Sequence, residues 1–457
     1  MKREQAMSPT PTDQPSRREF LKWSGTLAAA SALANTAIPH VHAAEDNTIR
    51  LALIGCGGRG SGAAVNAFSS PGGPVKLIAM ADLFENRLTS SFDALDKAHH
   101  DKMDVPPDRR FVGFDAYKKA IDCLRPGDVA MLTGYAAWRP QQLEYAVEKG
   151  VHAFMEKSFA TDPPGVRRLI KAGEAAEKKN LKIAAGLMCR HSKNRQELIK
   201  RIRDGELGDI LLIRAYRMEP SGPLTPRPAA EKDLFWQIRN FTKFLWVSGG
   251  LWAEMDIHQI DELCWIKDAY PVAAHGVGGR VANSTDCSQN LDSFSAEWTF
   301  ADGAKAYDVV RYIPNCYNEF ATFINGSKCA AQFSGAIHAP TVQIYKDQRI
   351  ANDNIAWKAP KEECTSWQAE WNDLFDSIRN DRPHNEAKRA ALSNLADMMG
   401  RAAIHSGKII TWDEALASNF QWVPSGIDSI NENSVPPVQA DAQGRYPVPI
   451  PGAWTEM

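Results

Sequence analysis

The chain has 457 residues, of which 44% are hydrophobic and 24% are charged, and its formal net charge is -2. This composition is typical of a soluble globular protein with two or three domains, and it excludes disordered, collagen-like and fibrous classes. The near balance of 53 basic and 55 acidic side chains predicts no binding to nucleic acid or to an anionic membrane surface. The 8 cysteines are scattered without a CxxC pair, so we expect neither a disulfide framework nor a zinc site.

The N-terminal segment has the pattern of an export signal. Arg17 and Arg18 form a twin-arginine pair before Phe-Leu-Lys, and an uncharged, alanine-rich run extends from 23 to 38. Small residues around Ala43 then suit a signal peptidase. The run is shorter than the roughly 20 apolar residues of a membrane span. The segment resembles bacterial twin-arginine signals, which implies recognition by the twin-arginine machinery, export to the periplasm, cleavage after Ala43 and a mature chain without a membrane span. The alternative is a mildly apolar helix of the folded domain.

A dinucleotide-binding fingerprint follows this segment. The apolar run 49–54 predicts a buried strand, 63–68 predicts a helix, and the strand predicted at 75–81 ends at Asp82. Between the first strand and the helix lies Gly-x-Gly-x-x-Gly, made by Gly55, Gly57, Gly58, Arg59 and Gly60. The glycines let the backbone approach a pyrophosphate at the helix N-terminus, and an acid at position 82 accepts hydrogen bonds from a ribose. Because Asp82 repels a 2′-phosphate, we predict NAD rather than NADP, a preference that Arg59 can weaken. The alternative is a glycine-rich turn without a ligand.

The element pattern predicts an α/β protein built in two parts. Strands at 129–133, 152–156 and 182–186 alternate with helices at 140–148, 165–179 and 194–203, which predicts a Rossmann domain, a doubly wound parallel sheet. The second half has strands at 210–217, 272–281, 293–300 and 304–312, turns such as 301–303 that favour antiparallel hairpins, and helices at 366–379 and 386–405. The predicted domains are a signal peptide at 1–43, an NAD-binding Rossmann domain at 44–186, an α+β domain with a mostly antiparallel sheet at 187–423, and an extended C-terminal arm at 424–457.

Three further motifs, with the fingerprint, resemble the Gfo/Idh/MocA superfamily, the glucose–fructose oxidoreductase and inositol dehydrogenase group. They are 151–158, similar to the family's E-K-P element; 249–261, similar to its G-G-x-x-x-D-x-x-x-H-x-x-D stretch; and 400–412, similar to its C-terminal helix and strand. The resemblance covers nearly all of the mature chain. It implies a sheet that closes over a nicotinamide, a carbohydrate substrate and a homo-oligomer. Ser158 replaces the family's proline, Glu254 replaces its aspartate, and the loop 134–140 lacks the histidine of many relatives.

Lys157, Glu254 and His258 are the predicted catalytic residues. Lys157 follows a parallel strand at the edge where such sheets bind ligands, and its charge stabilises a developing alkoxide. Glu254 and His258 are four residues apart and share one helix face. The imidazole suits removal of a hydroxyl proton near neutral pH, while Glu254 orients it or binds sugar hydroxyls. The alternatives are a lysine that caps a strand and a buried histidine satisfied by a carboxylate. Since spacing offers no third ligand, we predict no metal.

The remaining predicted site residues surround these three. Glu156 is expected at the cofactor beside Lys157, and Tyr135 or Trp138 is expected to stack on the cofactor or on a sugar. Polar and aromatic residues near strand ends, before the 249–261 motif and at its last position are predicted to bind substrate: Arg190, His191, Tyr216, Arg239, Trp246 and Asp261.

Export constrains the predicted chemistry. The periplasm holds no pool of NAD to exchange with, so we expect a cofactor that stays bound and is reset within the site. We therefore predict an NAD-dependent oxidoreductase acting on a sugar or sugar derivative by hydride transfer. One alternative is a redox-neutral NAD-dependent glycosidase, in which transient oxidation, elimination and re-reduction cleave a glycosidic bond. A third hypothesis is a sugar-binding protein without catalysis.

Overall fold

The first sheet has six parallel strands, and the computed structural model describes residues 47–457. The predicted signal peptide lies outside these residues. In the sheet order β3-β2-β1-β4-β5-β6, the strand order reverses between β1 and β4, which is where such sheets bind ligands. The predicted Rossmann sheet is thereby confirmed. Its strands are β1 (Ile49–Ile54), β2 (Val75–Asp82), β3 (Arg110–Val112), β4 (Val129–Leu132), β5 (His152–Met155) and β6 (Ile183–Ala185).

Helices cover both faces of this sheet. The first begins at Gly58, earlier than the predicted helix 63–68, because two fingerprint glycines adopt helical backbone and form its first turn. The helices of this part of the chain are α1 (Gly58–Phe68), α2 (Glu85–His99), α3 (Ala116–Ile121), α4 (Arg139–Glu148), α5 (Pro163–Lys178) and α6 (Lys193–Arg203).

The second sheet has nine strands and is mostly antiparallel, as predicted. The parallel pair is β7–β10, and the turn at 301–303 joins β9 to β10 in the expected antiparallel hairpin. Buried and half-buried residues alternate along β9 and β10, so one face of the sheet packs on helices. In the order β14-β13-β12-β11-β7-β10-β9-β8-β15, the strands are β7 (Ile210–Met218), β8 (Ala273–Gly279), β9 (Ser293–Thr299), β10 (Lys305–Arg311), β11 (Glu319–Gly326), β12 (Ala330–Ser334), β13 (Gln343–Tyr345), β14 (Ile355–Lys358) and β15 (Ile410–Thr411).

The later helices connect the two sheets. One of them packs on the first sheet, where the ring of Trp371 stacks on Phe154 with a centroid distance of 4.3 Å. None of the helices within residues 47–457 is both long and apolar enough to cross a membrane. The helices are α7 (Asp233–Arg239), α8 (Leu245–Ser248), α9 (Gly250–Lys267), α10 (Ser366–Arg379), α11 (Ala387–Ser406) and α12 (Trp412–Ala417).

The C-terminal segment packs against the second part of the chain. Tyr446 meets the ring of Phe244 edge-on at 4.7 Å. Near the chain end, Glu456 is 1% exposed, and its carboxylate accepts a hydrogen bond from Arg401 Nε at 2.7 Å and lies 3.3 Å from His405 Nδ1. Although burial alone raises its pKa, Arg401 and His405 lower the pKa of Glu456 from 4.5 to about 2. The last residues therefore neutralise a buried arginine on α11.

Glu456→Gln is expected to destabilise the protein at pH 7 by about 3 kcal/mol, because it leaves the Arg401 charge buried without a carboxylate. A carboxyl whose folded pKa is depressed contributes fully above its ordinary pKa and loses that contribution as pH falls toward the folded pKa. The difference in melting temperature between the parent and the variant should therefore shrink below pH 4.5, on the way to pH 2. Thermal unfolding at pH 7, 5 and 3.5 measures it. A difference that is constant with pH would contradict this account.

Candidate active site

A cleft of about 610 Å³ opens at the carboxyl ends of β1, β2, β4 and β5. Its walls contain the fingerprint, and its other lining residues include Asp82, Tyr135, Lys157 and Glu254. Together with the fingerprint, these residues come from five separate stretches of the chain. The cleft thus brings together the predicted cofactor loop and two of the three predicted catalytic residues.

The fingerprint turn is held in close contact with the turn that follows β4. Gly55 has a φ of +98°, and a Cβ atom there would lie 2.4 Å from the backbone nitrogen of Gly134. A Cβ atom on Gly60 would lie 2.0 Å from the carbonyl oxygen of Gly55. Gly57 is the N-cap of α1, and the space beside its Cα is open. The first turn of α1 therefore offers backbone N–H groups without a side-chain cap from residue 57, an arrangement suited to an anion.

Asp82 is held at the end of β2 by the backbone. Its carboxylate accepts hydrogen bonds from the N–H of Cys56 at 2.6 Å and from the N–H of Phe84 at 2.8 Å. Burial raises the pKa of Asp82, while these N–H groups and the nearby charge of Arg87 act in the opposite direction. The carboxylate lines the cleft in a fixed orientation, with lone pairs left to accept from a ligand.

Arg59 and Tyr135 are both engaged within the protein. Arg59 donates from Nε to Glu156 at 2.5 Å and from Nη2 to Glu370 of α10 at 3.0 Å. Burial, and then the charge of Glu156, raise the pKa of Glu370 well above its ordinary value, against the effect of Arg59. The hydroxyl of Tyr135 accepts a hydrogen bond from Arg87 Nη1.

Lys157 and Glu254 form an ion pair inside the cleft. Lys157 Nζ donates to Glu254 Oε2 at 2.7 Å and to the backbone oxygen of Glu254 at 2.5 Å. Ser158, which replaces the family's proline, follows a cis peptide bond and donates from its hydroxyl to the carbonyl of Ala253 at 2.6 Å. The strand end after β5 is thereby joined to the second turn of α9.

His258 lies one turn further along α9 and is 7% exposed. Its ring packs on that of His338 with a centroid distance of 4.4 Å. Its Nδ1 has no hydrogen-bond partner among residues 47–457. Burial, followed by the neighbouring His338 and Lys157, lowers the pKa of His258 well below its ordinary value. The helix spacing brings His258 and Glu254 to the same region, as the sequence predicts, although His258 is not among the described residues that line the cleft.

Arg190, His191 and Asp261 lie in buried ion pairs. Arg190 donates twice to Asp261, from Nε and Nη2, each at 2.8 Å. His191 Nδ1 lies 2.7 Å from Asp373. Although burial alone lowers it, the carboxylates of Glu386 and Asp373 raise the pKa of His191 to about 10. These contacts are within the protein, and a role of the three residues in substrate binding remains a prediction.

The other predicted substrate residues also lie outside the set that lines the cleft within residues 47–457. Trp246 is buried and donates from its indole to Gln237 at 2.7 Å. Tyr216 faces the ring of Phe323 on the second sheet. Arg239 forms an ion pair with a glutamate at 3.0 Å, and its guanidinium lies 4.2 Å from the ring centre of Phe84. Their assignment to a substrate remains a prediction.

Several residues at the cleft were not found from the sequence. Arg87 lies in the first turn of α2 and lines the cleft beside Asp82; its position after the acid was a usable signal. Phe241 lines the cleft from a short 3-10 helical turn. Glu370 and His338 reach the site from distant parts of the chain, and neither lies in a recognisable motif.

Comparison with known sequences confirms the export signal. The family model for the twin-arginine translocation (TAT) pathway signal sequence matches residues 14–34. The chain carries a signal for export by the twin-arginine route, which typically leads to the periplasm.

Two curated relatives are inositol 2-dehydrogenases. The protein from Cereibacter sphaeroides is 26% identical over 167 residues, which are 36% of this chain and 43% of the relative. The protein from Agrobacterium fabrum is 27% identical over 238 residues, which are 51% of this chain and 59% of the relative. The chain thus spans about half the length of the curated relatives it matches.

Solved structures confirm the fold predicted from the Gfo/Idh/MocA resemblance. A scyllo-inositol dehydrogenase from Lactobacillus casei, with bound NAD(H) and scyllo-inositol, matches with a TM-score of 0.59 and 19% identity, over 80% of this chain and 99% of that structure. An aldose-aldose oxidoreductase from Caulobacter crescentus, complexed with glycerol, matches with a TM-score of 0.62 and 16% identity, over 80% and 99% of the two chains. The resemblance to this group stated from the motifs is confirmed in sequence and in fold.

Arg59→Gln is expected to destabilise the protein by about 1–3 kcal/mol, because it removes the guanidinium that donates to the buried Glu156 and Glu370. In the double variant with Glu370→Gln, the loss should be smaller than the sum of the two single losses by roughly 1–3 kcal/mol. Urea unfolding of the four proteins measures this coupling.

Arg349→Gln serves as the matched control for this cycle. Its exposed pair with Asp353, at 2.9 Å, is expected to contribute about 0–1 kcal/mol. Additive losses for Arg59 and Glu370, or a loss at Arg59 no larger than at Arg349, would show that the buried network contributes little.

Proposed function

We propose that the protein is an NAD-dependent oxidoreductase that acts on a secondary hydroxyl of a sugar, an inositol or a related sugar derivative, and that it retains its cofactor. The sequence similarity to inositol 2-dehydrogenases supports this class of reaction. The observation that carries the proposal is the Lys157–Glu254 pair, which lies in the same cleft as the fingerprint and Asp82. A cation beside a dinucleotide cleft can stabilise the negative charge that develops on the oxygen of an alcohol as it is oxidised.

The residues of the cleft fit a dinucleotide. The first turn of α1 would hold the pyrophosphate, since open space adjoins its N-cap at Gly57. The Asp82 carboxylate would accept hydrogen bonds from the adenosine ribose. The negative charge of Asp82 favours NAD over NADP. Arg59 does not offset this charge, because its guanidinium pairs with Glu156 and Glu370. When bound, the nicotinamide supplies the hydride acceptor.

Lys157 is proposed to hold and polarise the substrate hydroxyl. An ammonium group has three N–H donors, and Glu254 takes two of them in the part of the chain that the structure describes. The third would donate to the hydroxyl oxygen. As the C–H and O–H bonds break, negative charge grows on that oxygen, and the fixed positive charge of Lys157 lowers the energy of this state.

His258 is proposed to accept the hydroxyl proton in the metal-free protein. The hydride and the proton leave the same alcohol, so that a ketone forms and the charges balance. Glu254 keeps Lys157 in place and lies one helical turn from His258 on the same face.

Retention of the cofactor follows from export. An exported NAD-dependent oxidoreductase turns over repeatedly only if its cofactor stays bound and a second substrate returns the hydride. The redox-neutral glycosidase differs from this in releasing a sugar from a glycoside without net consumption of an acceptor.

The exported protein, purified without added nucleotide and then denatured, is expected to release close to one NAD(H) per chain, identified by chromatography. Asp82→Ala should reduce this content, because the ribose loses its acceptor, while Asp353→Ala, at an exposed position, should leave it unchanged. Release of NADP(H) instead would contradict the cofactor assignment, and an empty wild-type site would contradict retention.

Lys157→Ala is expected to lower turnover by about 10²–10³-fold, the typical effect of removing one group that stabilises transition-state charge. The single-turnover rate at which a panel of inositols, aldoses and glycosides reduces the bound nicotinamide measures this loss. Lys149→Ala, which removes an exposed lysine of the same domain, is the matched control and should keep parental turnover. Unchanged turnover in the Lys157 variant would falsify the assignment. Sugar release from a glycoside without net reduction would favour the glycosidase.

A further inference from the structure

Three side chains that can ligate a metal meet beside the Lys157–Glu254 pair. Cys189 comes from the turn after β6, His258 from α9, and His338 from the turn between β12 and β13. One ligand atom from each lies within 4.8 Å of the other two. The Cys189 sulfur is 3.9 Å from His338 Nδ1, close to the spacing of two ligands that share one ion.

The protein itself leaves this cluster incompletely satisfied. Cys189 is 2% exposed and His258 is 7% exposed. The buried Nδ1 of His258 has no hydrogen-bond partner within residues 47–457. A buried polar atom without a partner costs about 1–3 kcal/mol, and coordination to a metal is one way to remove that cost.

The ligand set selects a class of ion. One sulfur and two imidazole nitrogens are borderline-soft donors that suit Zn²⁺ and similar transition metals, and they do not suit Mg²⁺ or Ca²⁺. A neutral imidazole keeps a lone pair for coordination, and no hydrogen-bond donor within residues 47–457 occupies the buried Nδ1 of His258. The Cys189 thiol loses its proton when the sulfur binds the metal.

The cations around the cluster have carboxylate partners of their own. Arg195 lies 3.5 Å from Glu262, and Arg217 lies 2.8 Å from Glu219. Arg217 Nη1 also lies 3.4 Å from His338 Nε2. Ligation through Nδ1 would place the ring hydrogen on Nε2, so this last contact must open when a metal binds.

We propose that Cys189, His258 and His338 bind one divalent transition-metal ion of the zinc class. Three protein ligands leave a fourth position of a tetrahedral site, as in catalytic zinc centres. What the ion would do there rests on the proposed function: it would bind the substrate hydroxyl and lower its pKa, so that the proton passes to solvent instead of to the His258 imidazole. Binding itself does not depend on the proposed function.

Metal content and affinity test the site without any activity assay. The full chain, stripped with a chelator and titrated with Zn²⁺, is expected to bind one ion per chain. Cys189→Ser and His338→Ala should each weaken binding by more than the 10–100-fold effect of outer-shell substitutions. Cys287→Ser removes another buried cysteine and should keep the parental affinity. Far-ultraviolet circular dichroism checks that each variant is folded. If the Cys189 variant does not fold, the affinity of the His338 variant tests the site by itself.

Cobalt(II) in place of zinc reports the ligands directly. A sulfur–cobalt charge-transfer band should appear with one equivalent of Co²⁺, disappear in Cys189→Ser and remain in Cys287→Ser. No binding by the parent, binding without this band, or equal affinity in all variants would overturn the proposal. Failure of the nucleotide or turnover experiments would not affect the conclusion about metal binding, because the metal titrations measure neither nucleotide content nor turnover.

Discussion

The guanidinium of Arg59 joins three distant parts of the cleft. It extends from the first turn of α1 to Glu156, at the end of β5, and to Glu370 on α10. A cation stabilises the charged form of a buried carboxyl group, so this network of contacts constrains the relative positions of all three elements. Lys157 follows Glu156 directly in the chain. The position of the lysine in the cleft therefore depends on the same arginine that belongs to the dinucleotide fingerprint.

A second arginine supports the other side of the cleft. Arg401, on α11, donates to the carbonyl of Gly249 at 3.5 Å and to that of Thr161 at 3.2 Å. Gly249 precedes α9, and Thr161 follows the strand end that bears Lys157. Since Glu456 neutralises Arg401, the last residues of the chain help to fix the helix that carries Glu254 and His258. The C-terminal segment thus has a structural connection to the site, which its irregular sequence did not indicate.

The sequence predicted the parts of the site that are local in the chain. The strand, the glycines and Asp82 follow one another within 49–82, and the Glu254–His258 spacing is a property of one helix. Lys157 was found because it ends a strand. Glu370 lies 311 positions from Arg59, and its role depends on α10 packing against the first sheet. No periodicity within α10 carries that information.

The position of His338 also could not be predicted from local sequence patterns. It lies in a short turn between β12 and β13, two strands that the element pattern did not predict. Ile337 and His338 have positive φ angles of 52° and 56°, a conformation that side-chain preferences do not anticipate at these residue types. Spacing along the chain offered His258 no third ligand. The strand order of the second sheet brings one within reach.

The cysteines link the site to the export route. All eight are free, and Cys316 and Cys364 are the exposed ones within residues 47–457. Burial raises the pKa of Cys56 and Cys189 well above the ordinary value, and oxidation proceeds through the thiolate, so both are protected in an oxidising compartment. A protein that folds before export can keep such thiols, because their burial precedes exposure to oxidants. Burial protects the Cys189 thiol from oxidation but does not remove its sulfur as a ligand. The proposed metal ion would displace the thiol proton on binding, so a cysteine that is inert toward oxidation can still coordinate a metal.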